Sequence, residues 1–402
     1  MLTTPSPHAA LDDVALPGGV RRSVTDAGIV SLWSPDAPTS AFVAAFAETA
    51  RSVPTAPFAL ALVWFSSARH DGTALGPALR EAAPELETVG CSTAGELTPD
   101  GLQEAGALAV FLPASRFEAS VALLPRMDRL GMEEIVRRAA TARREIRAGA
   151  GETFALALMD GMTFAEEATT AALQRGLDDV ALVGGSAGDG MRFATTQQLF
   201  RGRVHDRSAV LAIVRTSLPF RTFSYNNFVP TETRLVVTGA DVGRRTVHEL
   251  DAEPALEAYA AALGAAPETV DVTTFATRPL VLRIGGEHYC RSVRRVNDDG
   301  SLSLFCAIDT GLVLTLARSE GMVRSATEAL DRLEAELGGL DCAIGFDCVH
   351  RRLDAETRGA TGRMAALLQA RRVVGFNSYG EQYRSMHLNQ TFTGVAFGPA
   401  AT

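Results

Sequence analysis

A chain of 402 residues, 47% hydrophobic and 21% charged, can bury a sizeable core and is not expected to be disordered. A net charge of −9 argues against a nucleic-acid surface, which needs a basic stripe. No apolar stretch reaches the roughly 18–20 residues that span a bilayer, so no membrane segment is expected. The five cysteines, Cys91, Cys290, Cys306, Cys342 and Cys348, are odd in number and contain no C-x-x-C pair. They read as reduced thiols of a cytoplasmic protein rather than a disulfide framework or a zinc site.

In chain order, Met1 to Val20 is polar, contains Pro and Gly, and is expected to be a tail. Next comes Phe58-Ala59-Leu60-Ala61-Leu62-Val63-Trp64, a continuous apolar run of the kind that forms a strand buried on both faces. A helix is predicted over Thr73 to Ala83, then a turn at Val89-Gly90-Cys91-Ser92-Thr93-Ala94-Gly95-Glu96 and a strand over Ala107 to Leu112. The same order recurs twice. Phe154-Ala155-Leu156-Ala157-Leu158-Met159-Asp160 leads to a helix over Ala165 to Leu177, the turn Val183-Gly184-Gly185-Ser186-Ala187-Gly188-Asp189 and a strand over Ala209 to Val214. Asp341-Cys342-Ala343-Ile344-Gly345-Phe346-Asp347 leads to a helix over Thr357 to Arg371, the turn Val374-Gly375-Phe376-Asn377-Ser378-Tyr379-Gly380-Glu381 and a strand over Thr391 to Phe397. The aligned acids are taken as Asp160 and Asp347, and every turn as ending in Gly and an acid.

Extra strands are predicted over Phe117 to Leu124 and Arg221 to Phe228. Between the second and third units come a helix near Pro254 to Leu263 and strands over Leu280 to Ile284, Glu287 to Val296 and Ser301 to Ala307. Asn297-Asp298-Asp299-Gly300 is a hairpin turn signal, and Ser319 to Leu337 is an amphipathic helix. The polar stretch Pro230 to Arg245 suggests a domain boundary. The class that follows is α+β, repeated β-α-β-β units forming mixed sheets flanked by helices. The divisions are 1–34 as tail and lead-in, 35–235 with two units, and 236–402 with the hairpin region and the third unit.

Leu158-Met159-Asp160-Gly161, the three Gly-rich turns and His387-Leu388-Asn389-Gln390-Thr391 resemble the FIST sensory domains, N- and C-terminal parts, over roughly residues 35 to 398. The resemblance implies a small-ligand sensor of bacterial signal transduction. The stand-alone architecture and the segment Tyr379 to Thr393 look most like FIST proteins that bind haem and sense nitric oxide. Those are thought to act on a separate histidine kinase or cyclic-dinucleotide enzyme.

Two readings of the turns stand: tight helix-to-strand connections, which glycine permits, or loops whose amides and hydroxyls line a ligand pocket. On the second, the pocket residues are Gly90, Ser92, Asp160, Gly184, Gly185, Ser186, Asn377, Tyr379, Gly380, Glu381, Asn389 and Gln390. His387 is the candidate haem ligand, since neutral imidazole commonly holds haem iron, and His350 is its rival. Read as a continuing strand, Cys348 and His350 share one face, with Asp347 and Arg351 on the other. Asp160 is either a cap for the next helix or a ligand contact. His8 and His70 lie in polar segments and suggest nothing. No Gly-Lys-Ser/Thr follows any turn, which disfavours nucleotide phosphate.

An enzyme reading would use Cys91 or Ser186 as a nucleophile on a Gly-flanked turn, although neither lies in Gly-x-Ser-x-Gly. A third reading is a ligand-independent scaffold for a signalling partner. The open sheet edges also make a homodimer conceivable.

Overall fold

Three apolar runs become the central strands of three separate sheets in the computed structural model, which describes residues 14–52, 57–147 and 149–400. Phe58–Phe65, Glu152–Met159 and Cys342–Cys348 each pair in parallel with the strand beyond the following helical segment. Those partners are Thr88–Ser92, Ala181–Ser186 and Val373–Ser378. A parallel pair needs such a crossover. On its other side each run pairs antiparallel with Ala107–Pro113, Ala209–Thr216 or Phe392–Phe397. The expected α+β class with mixed sheets is therefore the one that forms.

The Val-Gly step of each unit has a packing cause. A Cβ on Gly90 would lie 1.7 Å from the Val63 carbonyl oxygen, on Gly184 2.1 Å from that of Ala157, and on Gly375 1.8 Å from that of Gly345. The parallel strands approach too closely there for any side chain. The same pairing corrects the alignment of the units. Ser92 lies opposite Phe65, Ser186 opposite Met159, and Asn377 opposite Asp347. Asp347 thus corresponds to Met159, not Asp160, and a one-residue offset in a strand moves a side chain to the other face.

Each sheet is completed by a hairpin from another unit, in a closed ring. Gln198–Phe200 and Arg203–His205, from the second unit, extend Thr88–Ser92 of the first. Glu381–Tyr383 and Met386–Leu388, from the third, extend Ala181–Ser186 of the second. Glu96–Thr98 and Gly101–Gln103, from the first, extend Val373–Ser378 of the third. The equivalent residues opening these hairpins are Glu96, Gln198 and Glu381, all fully buried. Asp189 is not one of them, because the second unit carries an extra loop between Asp189 and its hairpin.

Alternate side chains of the central strands point to two cores. Leu60, Leu62 and Trp64 meet Phe154, Leu156, Ile344, Phe346 and Phe376 in a core shared by all three sheets. Ala61, Val63 and Phe65 face the helices Thr39–Arg51 and Gly72–Ala82. The second sheet is covered by Met132–Glu145 and Glu166–Leu177, and the third by Met322–Leu337 and Thr361–Ala370. Burial on both faces is why these strands read as unbroken apolar runs.

A fourth sheet, with its own core, holds Phe228–Asp241, Thr246–Leu250, Leu280–Ile284 and Val313–Ser319 together with the hairpin Val293–Val296 and Leu302–Leu304. The polar stretch expected as a boundary lies largely within Phe228–Asp241, a strand whose side chains are mostly solvated. The expected strand Glu287 to Val296 is broken into Glu287–Cys290 and Val293–Val296. Residues 14–34, expected as tail and lead-in, contain three strands, two of which extend the first sheet beyond Val30–Ser34. His8 lies outside the described residues.

The helix expected over Thr357 to Arg371 forms as Thr361–Ala370, and an unexpected helix, Val349–Thr357, precedes it, the two separated at Gly359 with φ +58°. His350 and Arg351 therefore sit on a helix that starts where the strand ends, not on alternating faces of a strand. The turn from strand into helix brings Arg351 Nε to 2.6 Å from Asp347 Oδ1. Among the described residues, no helix is long and apolar enough to cross a membrane.

Candidate functional site

The ring exchange brings the three glycine-rich turns to one junction. The Ala94 amide donates to the Asn377 carbonyl (3.1 Å) and the Asn377 amide to that of Gly95 (2.8 Å). Ser186 donates to Gly380 (2.7 Å), Tyr379 to Ser186 (3.0 Å) and Gly188 to Ser92 (3.0 Å). The turns bond mainly to one another, so their own amides are largely spent. Ser92 Oγ donates to the Gly188 carbonyl at 2.8 Å and accepts from the Gln197 amide at 3.0 Å. Gly185 is where a Cβ would meet the rings of Phe346 and Phe376. Gly90, Gly184, Gly185 and Ser92 are thus explained by packing.

Asp160 takes neither expected role as first assigned. Its Oδ1 accepts from the Met162 amide at 2.9 Å and its Oδ2 from the Arg207 amide at 2.8 Å. It closes a local turn and pins a neighbouring loop, and the next helix begins only at Glu166. Cys91 and Ser186 are fully buried inside strands. Burial raises the Cys91 thiol well above its ordinary value, and Ser186 Oγ accepts from Gln382 Nε2 at 2.9 Å. Neither is presented as a nucleophile must be. Cys348 is likewise buried, with its thiol raised.

The remaining candidates form a buried polar cluster. Gln382 Nε2, bonded to Ser186, also lies 3.2 Å from His387 Nδ1. Because an amide N–H donates there, Nδ1 accepts and the imidazole proton sits on Nε2. Gln390 Nε2 stands in the same relation to His350 Nδ1 at 3.3 Å, and also donates to the Phe275 carbonyl at 3.0 Å. Gly380 leaves room for His387: a Cβ there would be 2.7 Å from Nε2 and 3.0 Å from Asn389 Nδ2. Four side-chain atoms of the cluster are buried without a partner: His387 Nε2, His350 Nε2, Asn389 Oδ1 and Gln382 Oε1. Burial lowers both imidazoles to about 4. Burial also pushes Glu381 up to about 8, against the hydrogen bonds from Ser378 and Thr391 that pull it down. At neutral pH both histidines are neutral, and Glu381 is largely protonated.

Aromatic rings close over the junction. Phe193, from the extra loop of the second unit, lies 4.6 Å from Tyr379 and 5.4 Å from Phe305 by ring centroids. Phe305, from the fourth-sheet region, meets His350 edge-on at 5.4 Å. The loop is gathered by Asp189, whose carboxylate accepts from the amides of Phe193, Ala194 and Thr195 at 2.8, 2.8 and 3.0 Å. The Phe305 side is held by a buried ion cluster. Arg245 reaches Glu166 at 2.9 Å and also bonds Glu167 and the Phe305 carbonyl. Glu167 accepts from the Ala307 amide at 2.6 Å. Burial raises Glu166 to about 7 despite Arg245. Burial would raise Glu167 too, but the charge of His387 when that ring is protonated, together with Arg245, holds it below its usual value.

Haem does not fit either histidine. Both Nε2 atoms are buried beyond the reach of a water-sized sphere, His387 against Gly380 and His350 beneath Phe305. An axial ligand needs its nitrogen facing a slot wide enough for the macrocycle. Among the described residues, no group of three or more His, Cys, Asp and Glu is placed to hold a metal ion.

Of the residues singled out in the sequence, Tyr379, Gly380, Glu381, His387, Asn389, Gln390 and His350 come together, with Ser186 and Asn377 at the margin. Gln382, Phe193, Phe305, Arg245 and Glu167 were missed. Gln382 lies within the segment Tyr379 to Thr393 already marked as informative. Nothing local in the sequence ties Phe193 or Phe305 to it. Residues 59–253 match the family model of the FIST N domain and residues 255–384 that of the FIST C domain. A comparison with curated proteins gives no match.

Proposed function

Since the chain belongs to the FIST family and carries its N and C domains in order, we propose that it senses a small uncharged polar molecule at the junction of the three turns. FIST domains are sensor domains of signal transduction that bind small ligands. The observation that carries the finer reading is the set of four unpartnered side-chain atoms in this cluster, one of them on the His350 ring that Phe305 covers. A buried polar atom left unpaired costs about 1–3 kcal/mol, so a guest that pairs them is stabilised in that place. The two Nε2–H groups offer donors, and Asn389 Oδ1 and Gln382 Oε1 offer acceptors. The matching guest carries a carbonyl-type acceptor and N–H or O–H donors, with no net charge, because an ion would enter a cluster holding no free countercharge.

Admission of the guest requires the Phe193 and Phe305 cover to lift. Ligand binding then shifts an equilibrium between open and closed forms, and the segment around Phe305 and Ala307 carries the change to the surface. The reader of that change is a separate signalling enzyme, with a histidine kinase or cyclic-dinucleotide enzyme as the class the family resemblance suggests. Nitric oxide as the signal depended on haem and finds no support in the packing.

The test is a thermal-shift screen of small polar metabolites on the full chain, repeated with Asn389→Leu and His387→Phe. A hit is expected to lose its shift in both variants and to slow amide exchange over 189–197 and 303–308 in the wild type. Binding undiminished in both variants would place the ligand elsewhere and remove this reading.

A further inference from the structure

We infer that the cleft between Phe164 and the hairpin Val293–Val296/Leu302–Leu304 is a second binding site, for a small oxyanion held by the guanidinium of Arg294. The cleft has a volume of about 470 Å³, and its walls include Phe164, Arg244, His248, Arg294 and Arg295. Arg294 stacks over the Phe164 ring at 5.5 Å, and Arg245 approaches the same ring at 5.1 Å. Arg294 Nε is buried without a partner. Among the described residues, no carboxylate lies within 4 Å of its guanidinium nitrogens. Arg215, Arg245 and Arg351, also withdrawn from solvent, each meet one: Glu118, Glu166 and Asp347 respectively.

The cleft also holds three acids, Asp241, Asp298 and Asp299, two of which are held by local hydrogen bonds rather than by Arg294. Asp241 Oδ1 accepts from the Arg244 amide at 3.0 Å, and Asp299 Oδ1 from the Ser301 amide at 3.0 Å. Asp298 stands exposed at the hairpin tip. Burial first, then the neighbouring charges of Arg295 and Arg245, disfavour this cation and lower its proton affinity, against the attraction of Glu166. Arg294 is half-buried with only Nε sealed, and a planar guanidinium without a carboxylate partner is the group that binds carboxylate or phosphate oxygens two at a time. Phe164 lies just ahead of the helix Glu166–Leu177, whose Glu166 and Glu167 hold Arg245. An oxyanion here would therefore join the second unit to the fourth sheet.

The experiment is thermal denaturation of the full chain at pH 7 in rising sodium phosphate or sodium acetate, against sodium chloride at matched ionic strength. A saturable rise in Tm beyond the chloride control is expected. A larger effect from phosphate assigns a phosphorylated ligand, and an equal or larger effect from acetate a carboxylate. Arg294→Met is expected to weaken the response at least tenfold. The exposed Arg295→Gln, which leaves packing intact, should weaken it severalfold if Arg294→Met fails to fold. No rise over chloride, or a rise unchanged in the variants, overturns the assignment.

Discussion

The phenol of Tyr379 fastens the loop that begins at Asp189: its hydroxyl donates to the Asp189 carboxylate and accepts from the amides of Asp189 (3.2 Å) and Met191 (3.0 Å). One side chain of the third unit thus holds down the extra loop of the second, and with it Phe193. Tyr379→Phe keeps the ring contact with Phe193 and removes all three bonds. The expected result is a stability loss of about 1–2 kcal/mol and faster amide exchange confined to 189–195. Unchanged exchange there would show that the hydroxyl is not the fastening.

The three Val-Gly steps give a second expectation. Gly375→Ala puts a methyl group where the Gly345 carbonyl oxygen stands, at a residue with φ +152°. Something must move in the middle of a parallel pair buried on both faces. A loss above about 3 kcal/mol, or failure to accumulate as folded protein, is expected. Gly362→Ala, in the helix Thr361–Ala370 with open space around its Cβ position, serves as control and should be neutral or slightly stabilising. Equal behaviour of the two would remove the packing account of the repeated glycine.

The repeated strand–helix–turn–strand units were legible because each link leaves a local trace: apolar runs for doubly buried strands, alanine-rich helices, and glycine where strands crowd. The hairpin exchange was not, since strands as short as Glu96–Thr98 and Glu381–Tyr383 carry no periodicity and pair with residues far along the chain. The Asp160–Asp347 alignment failed for the same reason: only strand register separates it from the true pair, Met159 and Asp347. The turns were found as glycine-rich corners, yet the unpartnered atoms of the cluster lie one step beyond them. Gln382 and His387 belong to the donated hairpin, whose place beside Ser186 is a fact of topology.

The ion cluster at Arg245 bears on how firmly the cover is held. Arg245 and Glu166 are both about 3% exposed, and removing one partner of such a pair strands the other. Arg245→Met is expected to cost about 3–5 kcal/mol in urea denaturation and to speed exchange of the Ala307 amide, which Glu167 accepts. A loss under about 1 kcal/mol would mean that water replaces the guanidinium without penalty.

Stability should fall as pH rises from about 5 to 8, most steeply above 6.5 where the histidines no longer oppose it, and level off beyond. Glu381 is raised to about 8 in the folded chain, and Glu96 and Glu166 to about 7, each mainly by burial. Unfolded, these carboxyls ionise near their ordinary 4.5, so at neutral pH the native state holds more protons than the unfolded state. That linkage makes stability decline with pH through 7 and 8. The two buried histidines act in the opposite sense and lower down. Neutral to about 4 when folded and protonated below 6.5 when unfolded, they lose their contribution as pH falls from 6.5 to 4. Tm measured from pH 5 to 9 should therefore decline on the alkaline side. Glu381→Gln should flatten that limb by up to about 1.4 kcal/mol per pH unit. An alkaline limb identical in the variant would show that Glu381 ionises freely in the native chain.

Haem supplied to the protein should not be held through His387. Its Nδ1 is engaged by Gln382, its Nε2 carries the proton, and that nitrogen is sealed beside Gly380 and Asn389. Iron coordination would require loss of that seal and a slot for the macrocycle in a place filled by Phe193, Phe305 and Tyr379. Haem titrated into the purified chain is expected to give no Soret band that His387→Ala abolishes. The same variant should leave the fold intact, because its cavity lies beside groups that already lack partners. A Soret band present in the wild type and absent in both His387→Ala and His387→Phe would overturn this, and would mean that the cover opens far enough to admit a porphyrin.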